Sequence, residues 1–151
     1  MNQIILTTIL GFVAGCAGLI FAKLIIDPYL EYRTVLKETS HTLIFHAGLI
    51  NSRPFPRRND IAWPREDYEK AVEEHVSVSK KVRDLSARLR SCVTPTLRVL
   101  RLVPPTNDLS DAAGRLIRIS NSMLEANKKF DLLYEDVKAV GQLLKIDVAS
   151  G

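Results

Sequence analysis

The chain has 151 residues, 46% of them hydrophobic, and 21 Lys and Arg against 17 Asp and Glu, a formal net charge of +4. This length accommodates one domain plus an appendage, and the basic excess is too small to point to nucleic acid as a partner. The two cysteines, Cys16 and Cys92, are too few and too badly placed for a disulfide framework and fit a reducing compartment.

Hydrophobicity is concentrated at the start. Met1 to Ala22 carries no charged side chain, and Ile4 to Ile26 is interrupted only by Lys23. As a helix this run is about 34 Å long, slightly more than the roughly 30 Å hydrocarbon core of a bilayer. A helix also pairs every backbone amide internally, as hydrocarbon requires. Residues 1–27 are therefore expected to form a transmembrane anchor. Lys23 would snorkel to the interface, and Asp27-Pro28 would form a polar stop, with Asp27 as N-cap and Pro28 in the first turn of a new helix. Tyr29 and Tyr32 would lie at headgroup level.

Three other readings of this segment are weaker. A cleavable secretory signal would have a basic beginning and a shorter apolar run. Val13-Ala14-Gly15-Cys16 resembles a lipobox, but Ala17 to Ala22 stays apolar where a lipoprotein would turn polar. A buried core helix hydrophobic on all sides is rare in a small domain. Lys23, Arg33 and Lys37 follow the span, so the positive-inside rule places the remaining chain in the cytoplasm. Gly11, Gly15 and Gly18 open a small-residue face that would let two such helices approach, giving a possible homo-oligomer.

After Pro28, apolar residues recur at three- and four-residue steps and period-two alternation is absent, so residues 28–151 are expected to form an all-α soluble domain. A first helix is expected from about Pro28 to Ile50, with Tyr32, Leu36, Thr39, Leu43, Ala47 and Ile50 inward, ended by Asn51-Ser52-Arg53-Pro54. A loop over residues 51–64 follows. A second helix, from Pro64 or Arg65 to about Cys92, carries the cleanest stripe: Tyr68, Ala71, Val72, His75, Val78, Val82, Leu85, Leu89 and Cys92. Its acids lie early and its bases late, complementing the helix dipole. Thr94-Pro95 reads as cap and first turn of a short helix to about Val103.

A third long helix is expected from Asn107 or Asp108, with Leu109, Ala112, Ala113, Leu116, Ile119 or Ser120, and Met123 inward, and Asn127 in the following turn. The last, Lys128 to about Ile146, offers Phe130, Leu133, Val137, Val140, Gly141 and Leu144, before a frayed tail, Ala149-Ser150-Gly151. Four amphipathic helices with short links predict a four-helix-bundle-like domain, since each stripe must be buried against another.

Ile26-Asp27-Pro28-Tyr29-Leu30-Glu31-Tyr32, Leu43-Ile44-Phe45-His46-Ala47 and Leu116-Ile117-Arg118-Ile119-Ser120-Asn121-Ser122 are the phrases through which the chain resembles small, uncharacterised bacterial proteins with one membrane helix and a cytoplasmic helical domain. The resemblance implies that architecture and no chemistry, and it assigns a role to no residue.

No set of residues reads as catalytic. Glu38-Thr39-Ser40-His41 has the spacing of a di-iron ligand pair, but the second such motif that these sites need is missing. His75 falls on an apolar stripe, and Cys92 ends one, where a thiol is inert. No phosphate loop, Ser/His/Asp framework or zinc spacing occurs, so neither enzymatic activity nor a cofactor is expected. The most distinctive surface is basic. Lys80 to Arg101 holds seven bases and one acid, and the loop from Arg53 to Arg65, with Arg57 and Arg58, adds four bases against Asp60. Leu97-Arg98-Val99-Leu100-Arg101-Leu102-Val103 interleaves arginine with aliphatic residues as an interfacial helix does.

Two functions follow from this reading. One is a membrane-anchored helical interaction or scaffold module with an unknown protein partner. The other is peripheral binding of anionic lipid or nucleic acid through residues 80–101 and 53–65, with Arg57, Arg58, Arg98 and Arg101 as contacts. The alternative placement of Leu97, Leu100 and Leu102 is as a cap on the core.

Overall fold

The computed structural model describes residues 2–51, 55–56, 64–125 and 129–148. Arg57 and Arg58, the Ser52-Arg53-Pro54 stop, Asn127 and the 149–151 tail lie outside the described residues. Among the described residues the chain is all-helical and contains no strand.

The first helical element is longer than expected. Helix α1 (Asn2–Phe21) passes through a π-helical turn, Ala22–Ile26, directly into α2 (Asp27–Phe45). At 1.5 Å per residue the whole rod is about 65 Å long. Its early part is long and apolar enough to cross a membrane, and none of its most apolar stretch is buried against the rest of the chain. Phe12, for example, is 73% exposed. The expectation that Asp27 caps a new helix fails. Asp27 has helical φ and ψ of −59° and −50°, and its carboxylate pairs with Lys23 at 3.2 Å, one turn back. Pro28 still occupies the first turn of α2, but a π turn replaces the break: proline lacks an N–H and crowds the carbonyl four residues earlier, and a wider turn relieves both.

His46 interrupts the predicted Pro28–Ile50 helix, with φ −100° and ψ 16°, and the short α3 (Ala47–Asn51) follows. Helix α4 (Arg65–Ser91) is the longest of the remainder. Helix α5 (Pro95–Val99) is capped by Thr94, whose hydroxyl accepts from the Leu97 amide, and it stops four residues short of the expected Val103. Helices α6 (Thr106–Ser122) and α7 (Phe130–Leu144) complete the chain.

Named side chains give the packing directions. Along α4, Lys81 influences His46, Arg88 pairs with Glu38, and Glu31 influences Cys92, so α4 runs antiparallel to α2. Ser79 meets Ser120 and Ser86 donates to the Ala113 carbonyl at 2.8 Å, so α6 runs antiparallel to α4. Helix α7 returns along α6, joined by Arg115 and Arg118 to the largely buried Asp136.

One core links these helices: Tyr32, Val35 and Leu43 of α2, Val82 and Leu89 of α4, Leu116 and Ile119 of α6, and Val137 and Val140 of α7. The sequence stripes lie inward, with Ala47, Tyr68, Ala71, Val72 and Phe130 only half-buried. Gly141 is required where the chain doubles back after α7, because a Cβ there would come within 2.6 Å of a Val148 methyl and 3.2 Å of the Ile146 carbonyl.

Candidate functional site

Because α4 is antiparallel to α2, its basic end lies beside the start of α2, and its acidic beginning, Glu66 to Glu74, lies at the far end. Helix α5 continues from that basic end and packs against the Ala22–Ile26 turn. Ala22 and Ile25, three residues apart on one side of the rod, are correspondingly half-buried while Lys23, Leu24 and Ile26 remain exposed. The short helix is thus held beside the end of the apolar segment.

Burial within this element divides the aliphatic residues. Leu97 is fully buried, whereas the core-cap reading places Leu100 and Leu102 inward with it. Val99 is 81% exposed, and Leu100 and Leu102 are 47% and 41% exposed. Arg98 and Arg101 flank them, both exposed and without an ion-pair partner among the described residues. Aliphatic and guanidinium groups therefore share one solvent-facing edge. Such an edge can place apolar groups at an acyl boundary and cations at phosphates.

The other bases of the 80–101 stretch do not join this edge as one surface. Arg83 donates to the Asn121 side chain at 2.6 Å, and Arg88 is engaged by Glu38. Lys80 and Lys81 are exposed near the level of His46, well away from α5. Arg90 is exposed on the last turn of α4 and is the remaining base near α5. In a helix pair with this geometry, linear charge density overstates the local field.

The residues of the Glu38-x-x-His41 motif face different partners. Glu38 binds Arg88, and the His41 ring stacks on Phe45 with centroids 5.6 Å apart. Among the described residues no group of three potential metal ligands converges. His75 is buried, its Nδ1 2.8 Å from the Ala71 carbonyl and its ring edge-on to Phe55. Cys92 is buried at the end of α4, and burial, then the Glu31 charge, pushes its thiol up from the usual range. Gly11, Gly15 and Gly18 have no neighbouring atoms within 4 Å of where a Cβ would stand, so they border open space.

Several residues with a part in this region carried no signal in the linear pattern. In the sequence Arg33 and Lys37 bear only on orientation and Lys145 on neither fold nor site, since which bases lie together depends on the antiparallel arrangement. No family model, curated protein or solved structure matches the chain.

Proposed function

We propose that the chain is a single-pass membrane protein, with residues 1–27 as the anchor and residues 28–151 as a four-helix-bundle-like domain in the cytoplasm, and that it serves as a non-catalytic, membrane-tethered interaction or scaffold module. The observation that carries the reading is the seat of α5 against Ala22–Ile26, which supports a domain held close to the bilayer. A helical rod without a loop between anchor and domain limits how far the domain can rise or tilt. Lys23, Arg33 and Lys37, following the span closely, favour the cytoplasmic side.

The partner-facing end is the opposite one. Phe45 is 72% exposed beside Ile44, and a large exposed aromatic next to an aliphatic residue is the kind of anchor that protein interfaces use. A second reading is favoured by Val99 with Arg98 and Arg101: the α5 edge rests on anionic lipid, each base contributing about 1 kcal/mol near such a surface. Self-association through Gly11, Gly15 and Gly18 is compatible with both.

Photocrosslinking in native membranes tests these assignments together. A photoreactive residue at Phe45 is expected to capture protein, and one at Val99 to capture lipid. Release of the chain by alkaline carbonate would overturn the anchor, and lipid adducts at Phe45 with protein adducts at Val99 would reverse the assignment of the two ends.

A further inference from the structure

Helices α5 and α7 end in the same way. The Arg101 amide donates to the Arg98 carbonyl and the Leu102 amide to the Leu97 carbonyl; the Lys145 amide donates to Gln142 and the Ile146 amide to Gly141. Both are Schellman motifs, in which the residue after the cap adopts the left-handed conformation and is ordinarily glycine. Here it is Arg101 and Lys145, each with φ 54°, and these are the two non-glycine residues with positive φ among the described residues. An L side chain in that conformation is sterically costly, and sterically costly residues tend to be retained at functional positions.

Arg101 and Lys145 come from different helices, yet both line one groove of about 1150 Å³. Arg33 and Lys37, one turn apart on α2, line it as well. None of the four cations makes an ion pair among the described residues. Arg115, also in the wall, is already engaged by Asp111 and Asp136, which leaves Asp108 and Asp147 as the carboxylates facing the four free cations. The groove begins at Tyr29, three residues beyond the end of the Ala22–Ile26 turn, and Leu102 and Val103 give it an apolar side. A cation at a helix C-terminus also balances the helix dipole. That need is met at any position of the last turn and does not require left-handed backbone.

We propose that this groove binds the phosphate-bearing headgroup of an anionic phospholipid drawn from the adjacent leaflet, with Arg33, Lys37, Arg101 and Lys145 as its cations. Tyr29, Leu102 and Val103 flank the first carbons of the lipid, whose chains stay in the bilayer. The inference rests on the membrane-tethered reading and names the ligand of its membrane-facing end. It also explains why two glycine positions hold cations.

The test is native mass spectrometry of the full chain in neutral detergent, with added phosphatidylglycerol, phosphatidylcholine or inorganic phosphate. The parent chain is expected to retain phosphatidylglycerol over phosphatidylcholine and to ignore phosphate. In Arg101→Gly/Lys145→Gly, which keeps both Schellman motifs, the preference should fall by roughly fivefold per cation removed. In Lys80→Gln/Lys81→Gln, with the same loss of charge outside the groove, it should stay unchanged. Equal losses in the two double variants, full preference in the glycine variant, or phosphate binding as well as lipid would each overturn the proposal. A chain that resists carbonate extraction yet shows no lipid preference refutes the groove and leaves the tether standing; extraction by carbonate removes both.

Discussion

The main-chain N–H of Asp27 donates to the carbonyl of Ala22, five residues earlier. This bond is the signature of a π turn, and it sits immediately before Pro28, whose missing N–H leaves the Leu24 carbonyl without its α-helical donor. If Pro28 causes the π turn, Pro28→Ala should restore α-helical pitch through this segment. Amide exchange over residues 24–30, measured on the full chain in micelles, should then slow by about tenfold or more, since recovering an interior position from proline is worth up to about 3 kcal/mol. Unchanged exchange would mean that the turn is imposed by α5 packing instead.

How much of this fold is legible in the sequence depends on whether a residue's role is local. The stripes of α2, α4, α6 and α7 could be read because Leu36, Val82, Leu116 and Val140 need only a helical period to share a face with their neighbours. Ser79, Ser86 and Asp136 are buried too, but nothing in a linear pattern marks a polar residue as inward when its partner lies on another helix. The Asp27-Pro28 break is expected on local grounds and is overridden by another local feature, a π turn wide enough to carry proline without stopping the helix. The left-handed ends at Arg101 and Lys145 were illegible for the opposite reason: glycine, the residue that announces such a turn, is absent from both.

The α4–α6 contact turns on a reciprocal serine pair. Ser79 Oγ donates to the Ser120 carbonyl and Ser120 Oγ to the Ser79 carbonyl, both at 2.9 Å, with the hydroxyl oxygens 2.9 Å apart. Both residues are buried, so each single alanine variant should cost about 1–2 kcal/mol. Because the two hydroxyls form one unit, Ser79→Ala/Ser120→Ala should cost less than the sum by about 0.5–1 kcal/mol. A double-mutant cycle on thermal melts followed by circular dichroism measures this coupling, and strict additivity would show that the hydroxyls act independently.

His46 makes stability depend on pH. Burial, followed by the nearby Lys81 charge, lowers its ring below the ordinary 6.5, with His41 acting in the same direction and Glu74 opposing. Below about pH 6.5 the unfolded chain takes up a proton that the folded chain resists, so the unfolded state binds more protons and stability falls as pH drops through this range. The contribution is fully present above pH 6.5. His46→Gln removes the titrating group, and its melting temperature should therefore decline less than the parent's between about pH 7 and pH 5.5. Parallel declines would exclude His46 as a source of the acid sensitivity.

The two cationic Schellman positions set stability against ligand capture. Glycine at residue 101 or 145 would relieve the left-handed strain, about 1 kcal/mol at each, and both side chains are exposed, so little packing is lost in exchange. Arg101→Gly and Lys145→Gly are thus expected to melt a few degrees above the parent, and the double variant further still, as independent sites add. Alanine at the same positions removes the charge while keeping the strain, so Arg101→Ala and Lys145→Ala should melt close to the parent. A glycine variant no more stable than its alanine counterpart would show that the left-handed backbone costs nothing here and that strain gives no reason for a cation to be retained.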